Sequence, residues 1–288
     1  MTSRLVTAVA GALLVATVCA RAADVDPATD PRVRAAQAFV TRFAERMQFV
    51  VADETYDQEV RARAVVRDRR SLTSEVTLAQ VRDGMWIMAR HVVAVDGKVL
   101  PVNPYAQRLE DARSDAEAMN RLHQLAAEGA DWNIGQFERN INSPALVLWF
   151  LTPRLAPRFR FREAGTERLR NGELAQVLRF EEAARPALMN VNGQSTPTEG
   201  RVWLSPSGAV ARTELVLQQY AGTNRVLTNT GRATITVEYE PSALIDDIWL
   251  PSTMIERYEV VGNGSAETVV ATARYANFRQ FVVDATIR

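Results

Sequence analysis

From Gly200 to Phe281 the chain carries one antiparallel strand pattern, and its clearest stretch is Arg232 to Glu240. There Ala233, Ile235, Val237 and Tyr239 are apolar, while Thr234, Thr236, Glu238 and Glu240 are polar. A period of two is what a half-buried strand requires, because successive side chains leave opposite faces of the pleat. One face of such a sheet is wet, and the other must be covered by a further layer or by the sheet's own curvature. The pattern specifies a fold class and leaves the chemistry open.

The first residues suggest where the protein works. Arg4 precedes an apolar run from Leu5 to Ala20, after which the chain turns polar at Asp24-Val25-Asp26-Pro27. The run is shorter than the ~20 residues a spanning helix needs, and Ala20-Arg21-Ala22 places small residues where a signal peptidase requires them. Residues 1–22 are therefore expected to be a secretory signal peptide cut between Ala22 and Ala23, which sends the chain to the periplasm or outside the cell. An uncleaved anchor is the alternative. Cys19 invites a lipoprotein reading, but Val18 stands where such signals place a small residue.

Cleavage removes Arg4 and Arg21 and no acid, so the 34 basic and 34 acidic residues become 32 and 34. A nearly neutral chain with no Lys/Arg block has no electrostatic footprint for nucleic acid. The single cysteine leaves with the leader, so stability rests on a packed core and not on disulfides. Lys98 is the one lysine among these 34 basic residues, a bias that reads as genome composition.

Along the chain, Asp30-Pro31 forms an N-cap with proline at the first helical position, and Val33, Ala36, Phe39, Val40 and Phe43 follow at helical spacing, predicting a helix to about Glu45. A long strand follows with Val50, Ala52, Tyr56, Val60, Ala62 and Ala64 on one face, together with Glu54 and Gln58. Strands at Ser71–Val81 and Met85–Val95 are separated by Asp83-Gly84, and Asp96-Gly97 marks the next turn. Ser114–Ala127 reads as a helix, with Ala118, Leu122 and Leu125 on one side and its end near Gly129. After Pro144 the run Ala145 to Leu151 is apolar all round and stops before Pro153. Such a helix is buried, or it is a lid or membrane-touching element. Strands resume at Arg158–Glu163 and Gly172–Glu182 and continue to the end. Residues 23–29 read as a flexible segment and 30–288 as one domain.

The expected fold is mainly β: a strongly curved antiparallel sheet of roughly ten strands, a half-barrel, with an N-terminal helix and helical insertions packed on its concave face. The order of signal peptide, helix, strand meander, helical insertion and second meander resembles that of LolA, LppX and RseB-like periplasmic half-barrel proteins. That resemblance implies acyl chains held between a curved sheet and a helical lid. Several strings are also similar to those of uncharacterised secreted proteins of Acidobacteria-like bacteria: Arg90-His91-Val92-Val93-Ala94-Val95-Asp96-Gly97, Asn140-Ile141-Asn142-Ser143-Pro144, Arg201-Val202-Trp203-Leu204-Ser205-Pro206-Ser207-Gly208 with Arg212-Thr213-Glu214-Leu215, Trp249-Leu250-Pro251 with Met254 and Glu256, and Ala273 to Arg279. This second resemblance brings no known activity.

Chemistry has few candidates. The two histidines, His91 and His123, sit in a predicted strand and a predicted helix with no carboxylate pattern around them, so neither a metal site nor a histidine-based catalytic set is expected. There is no Gly-x-Ser-x-Gly, His-Glu-x-x-His or phosphate loop, and Ser205 to Gly208 reads as a hairpin turn. Glu54, Tyr56, Glu181 and Glu256, with Arg90 and Arg179, fall among apolar neighbours on predicted strands. They are expected to point inward as an ion-pair network, with a clamp on a ligand head group or an acid/base pair as alternatives. Trp86, Met88, Leu148, Trp149, Phe150, Trp203, Trp249, Met254 and Tyr258 are the candidate apolar wall of a pocket, and each also suits an ordinary core. No catalytic residue and no cofactor is expected. The function expected is the holding of a lipid or other hydrophobic molecule beneath the Pro144–Leu151 helix, as carrier or sensor. The alternative is a non-enzymatic envelope module with a filled core and a protein partner.

Overall fold

The computed structural model describes residues 23–47, 50–63, 65–80, 84–101, 115–135, 139, 141–191, 194–218, 230–242, 248–262 and 265–280. The expected signal peptide lies outside them, as do Asp83, Ser114 and Asn140. In chain order the elements are β1 (Asp24–Val25), α1 (Pro31–Arg46), β2 (Val50–Ala62), β3 (Val65–Gln80), β4 (Trp86–Val95), β5 (Lys98–Val99), α2 (Asp115–Asp131) and α3 (Leu146–Phe150). The second half adds β6 (Phe159–Arg168), β7 (Leu174–Glu182), β8 (Met189–Val191), β9 (Gln194–Thr196), β10 (Thr198–Leu204), β11 (Val210–Gln218), β12 (Thr230–Pro241), β13 (Trp249–Gly262) and β14 (Ser265–Gln280). Among the described residues, twelve strands form one antiparallel sheet in the order β1-β6-β7-β10-β11-β12-β13-β14-β2-β3-β4-β5, and β8-β9 make a separate small ribbon. The large sheet is curved and does not close into a barrel. Among the described residues no helix is long and apolar enough to cross a membrane.

Local chemistry accounts for the elements. In β12, Ala233, Ile235, Val237 and Tyr239 are buried, and the intervening residues are exposed or half-buried, as the alternation requires. The Asp30 carboxylate accepts from the backbone N–H of Arg32 at 2.9 Å and of Val33 at 3.3 Å, which caps α1. Asp96 and Gly97 both take positive φ, 49° and 77°, the conformation a two-residue hairpin turn demands, and they join β4 to β5. Residues 23–29, read as flexible, hold β1, whose Asp24 and Val25 pair with Arg162 and Phe161 at one end of the sheet.

Two contacts of α1 measure how far the sheet bends. Near its start Arg32 pairs with Glu163 of β6 at 2.8 Å. Near its end Phe43 packs edge-on against Trp86 of β4, ring centroids 5.3 Å apart. These strands are second and eleventh in the order, which in a flat sheet would separate them by about 43 Å. The helix between Arg32 and Phe43 covers only about 17 Å. Long side chains bridge part of the difference and the curvature of the sheet closes the rest, so α1 lies across the concave face with Val33, Ala36, Phe39, Val40 and Phe43 buried.

Within the same hollow α3 packs Leu148 and Phe150 into the core, with Phe150 5.3 Å from Phe159 and 6.4 Å from Phe180 between ring centroids. The Tyr239 hydroxyl donates to the Pro144 carbonyl at 2.5 Å and ties the start of this turn to β12. The longer insertion, α2, departs from expectation. Its Leu122 and Leu125 pack on Ala79 and Ala89, which alternate with the core-facing Leu78 and Met88. It therefore covers the convex face of β3–β4 and not the concave one. Its end closes on β4 at Gly129, where a Cβ would stand 2.9 Å from the Arg90 carbonyl oxygen.

Candidate functional site

The concave centre of the sheet carries a buried polar cluster. In β2 the inward side chains are Glu54, Tyr56 and Gln58; in β13 they are Met254, Glu256 and Tyr258. Between these strands lies β14, where Ala273 stands between Tyr56 and Met254 and Ala271 between Gln58 and Glu256. Because these two are small, Tyr56 reaches across β14 and donates to Glu256 Oε1 at 2.9 Å, while Tyr258 donates to Oε2 at 2.7 Å. A similar reach spans β3: Arg90 of β4 grips Glu54 bidentately at 2.5 and 2.9 Å, passing over the small Ser74. Its guanidinium carbon lies 4.2 Å from the centre of the Tyr56 ring.

Sequence reasoning missed Arg139, which enters from the segment between α2 and α3 and is 2% exposed. Its Nη1 donates to the Tyr56 hydroxyl at 3.0 Å, and Nη2 donates to the Ile134 carbonyl at 3.1 Å and to Gln58. Gln58 in turn holds the backbone of Trp132 and Ile134, each at 3.1 Å. Burial, and then the Glu256 carboxylate, push the Tyr56 hydroxyl well above the usual tyrosine range. Burial opposes the charge on Arg90, but Glu54 more than offsets it and keeps the guanidinium protonated. Both oxygens of Glu54 and of Glu256 accept hydrogen bonds from donors inside the protein, which is what lets the two carboxylates be buried.

Two members of the expected network lie elsewhere. Arg179 and Glu181 face the convex side, where Arg179 pairs with Glu199 at 2.7 Å and Glu181 with Arg160 at 3.3 Å. The inward carboxylate of β7 is Glu182, fully buried. It accepts from the backbone of Leu188 at 2.7 Å and from the Thr198 hydroxyl at 3.3 Å. Trp203 is also turned outward. It packs with Leu169, Ala175, Val177 and Ala211 in a small convex cluster, donates to Glu167 at 2.8 Å, and lies beneath Arg201 and Arg212.

The rest of the candidate apolar wall divides into three groups. Trp86, Met88 and Trp149 line a cavity of ≈450 Å³ between β4, the end of α2 and α3, together with Leu146, Met189, Asn133 and Arg139. Leu148, Phe150, Met254 and Tyr258 are solid core. Trp249 is half-buried at the far end of β13, between the main core and the convex cluster. A separate hollow of ≈400 Å³ around Glu59, Arg61, Arg69 and Arg70 is walled largely by charged side chains. Among the described residues no group of three or more His, Cys, Asp or Glu is placed to hold a metal ion. His91 lies 3.6 Å from Glu75, and His123 bonds to the Met119 carbonyl within its own helix.

No protein-family model matches the chain, and no curated protein matches it. Among solved structures it is similar to a DUF1329 family protein from Desulfovibrio piger, at 13% identity and TM-score 0.38 over 90% of this chain and 96% of that one. It is also similar to a putative outer membrane lipoprotein-sorting protein domain from Vibrio parahaemolyticus, at 12% identity and TM-score 0.35 over 89% and 93%. A LolA superfamily protein from Nitrosomonas europaea follows at 9% identity and TM-score 0.34 over 88% and 96%.

Proposed function

We propose that this is an exported periplasmic protein that holds a hydrophobic molecule in the cavity between β4 and α3. The observation that carries the reading is the cavity itself: ≈450 Å³ walled by Trp86, Met88, Leu146, Trp149 and Met189, within the size range of small-molecule sites. Support for export comes from the charged, apolar and small-residue pattern of residues 1–22. Binding is driven by apolar burial, so affinity rises about fourfold for each added methylene until the cavity is full. Uptake of the neutral fluorescent probe N-phenyl-1-naphthylamine tests this. The wild-type chain binds it, and Trp149→Ala, which opens one wall, weakens binding at least tenfold in a protein with an unchanged circular dichroism spectrum. Equal binding by the folded variant rejects the pocket. The second reading, a protein-interaction module, draws on the solid packing of Leu148, Phe150, Phe159 and Phe180 over the other half of the hollow. Absence of any uptake by the wild-type chain favours it.

A further inference from the structure

We propose that Met85, Met88 and Met189 form an oxidation site, at which a hydroperoxide converts the thioethers to sulfoxides, makes one wall of the cavity polar and so releases the hydrophobic occupant. This rests on the hydrophobic-molecule reading above and adds a chemical modification that reverses the binding.

Placement comes first. Six of the seven methionines lie beyond the expected leader, and Met85, Met88 and Met189 line the same cavity of ≈450 Å³. Two stand at the start of β4 and the third opens β8, so distant parts of the chain bring them together. Met85 is 37% exposed, which marks it as a point where the cavity meets solvent. Met88 and Met189 are partly buried. Met47 and Met254, in contrast, are 0% exposed. Met119 is also partly buried, but it packs with Leu122 and Leu125 against Ala79 and Ala89, away from the cavity lining.

Chemistry follows from what else the chain offers an oxidant. The single cysteine stands at position 19, within the expected leader, so in the chain that remains the thioethers are the sulfur available for oxidation. The step is a two-electron transfer: a sulfur lone pair attacks one peroxide oxygen, the O–O bond breaks as the S–O bond forms, and the second oxygen leaves as water with both peroxide protons. Sulfur is oxidised to the sulfoxide, and the peroxide is reduced to water.

Polarity links that step to binding. A thioether is apolar and adaptable, which suits a wall shared with Trp86, Leu146 and Trp149. A sulfoxide oxygen is a strong acceptor, and an apolar ligand pressed against it would strip its water and give no partner in return. At Met47 or Met254 the same oxygen would sit in solid core and break the packing. On the cavity wall it keeps its water once the ligand has left, so the fold survives and the binding does not.

The test treats the mature wild-type chain with dilute hydrogen peroxide and follows N-phenyl-1-naphthylamine binding and circular dichroism with time, while peptide mass mapping locates the added oxygen at each methionine. Met85, Met88 and Met189 are expected to be oxidised on the order of tenfold faster than Met47 and Met254, and probe affinity to fall on the order of tenfold in step with them, with the spectrum unchanged. Methionine sulfoxide reductases are expected to restore binding. Probe affinity unchanged once these three are oxidised overturns the proposal, although the cavity still binds. A loss of binding that tracks Met119 instead, or that comes with loss of the spectrum, overturns it too, as does equally fast oxidation of Met47 and Met254. An untreated chain that takes up no probe brings down the functional reading itself.

Discussion

Replacing Glu54 by Leu should be far more damaging than replacing Glu54 and Arg90 together. In the wild type the pair is bidentate at 2.5 and 2.9 Å, with Arg90 4% and Glu54 1% exposed. Glu54→Leu alone strands a guanidinium in the interior, at a cost of about 3–5 kcal/mol. At about 2–4 °C per kcal/mol for a domain of this size, the melting temperature falls by roughly 10 °C. The double variant Glu54→Leu/Arg90→Met removes both charges and fills similar volume, so the ion pair itself is lost at little net cost. It does lose the cation–π contact with Tyr56, worth up to about 2 kcal/mol in a desolvated site. The double variant is therefore expected within about 2 kcal/mol of wild type. Urea unfolding of the mature chain, followed by circular dichroism and tryptophan fluorescence, reads all three stabilities on one scale. A single variant no worse than the double would mean that Arg90 reaches water when Glu54 is gone, and the dry interior drawn here would be refuted.

Other consequences follow from single positions. Asp30 is held below the ordinary aspartate range, first by the Arg32 side chain and then by the backbone N–H groups it caps. A depressed folded-state value means its stabilisation is complete above the unfolded aspartate value and drains away as pH falls through the folded one. Asp30→Asn should therefore keep much of the cap near neutrality and show a shallower loss of stability below about pH 4 in acid titrations followed by circular dichroism. Gly200 lies under Phe180, and a Cβ there would stand 1.9 Å from the Glu214 carbonyl oxygen and 2.6 Å from the Phe180 ring. Gly200→Ala should cost at least about 3 kcal/mol in the same urea assay, and a loss under 1 kcal/mol would contradict the packing. Trp203→Phe, on the convex face, should leave N-phenyl-1-naphthylamine binding unchanged within twofold, because its ring borders Leu169 and Val177 and not the cavity.

What could be read from the sequence depended on whether one face of each element had a single kind of neighbour. β12 alternates cleanly because its outer side chains meet water, and its register was plain. In β7 and β10 the rule fails: Val177 and Trp203 are buried on the convex side by Leu169 and Ala211, so apolar residues stand on both faces. Taking Val177 as inward shifts the strand by one residue and puts Arg179 and Glu181 inside in place of Glu182. Trp203 was misplaced for the same reason, standing between the core residues Val202 and Leu204. Arg139 had no periodic signal, since it lies outside any helix or strand. For α2 the apolar stripe of Leu122 and Leu125 was legible, but a stripe does not say which face of the sheet it meets. The small Ala79 and Ala89, out of phase with Leu78 and Met88, were the available hint. Of the candidate wall, Trp86, Met88 and Trp149 line the cavity beside β4, and so do Asn133 and Arg139, which the sequence did not single out.

The most direct test of a ligand-holding cavity is mass spectrometry of the chain expressed with its leader and purified gently from the periplasm, under native and then denaturing conditions. The denatured mass should match a chain beginning at Ala23, and the native mass should exceed it by one small molecule, stoichiometric and lost on unfolding. A native mass equal to the bare chain, still unchanged after lipids are supplied, would contradict the proposal and leave the filled-core interaction module as the better account.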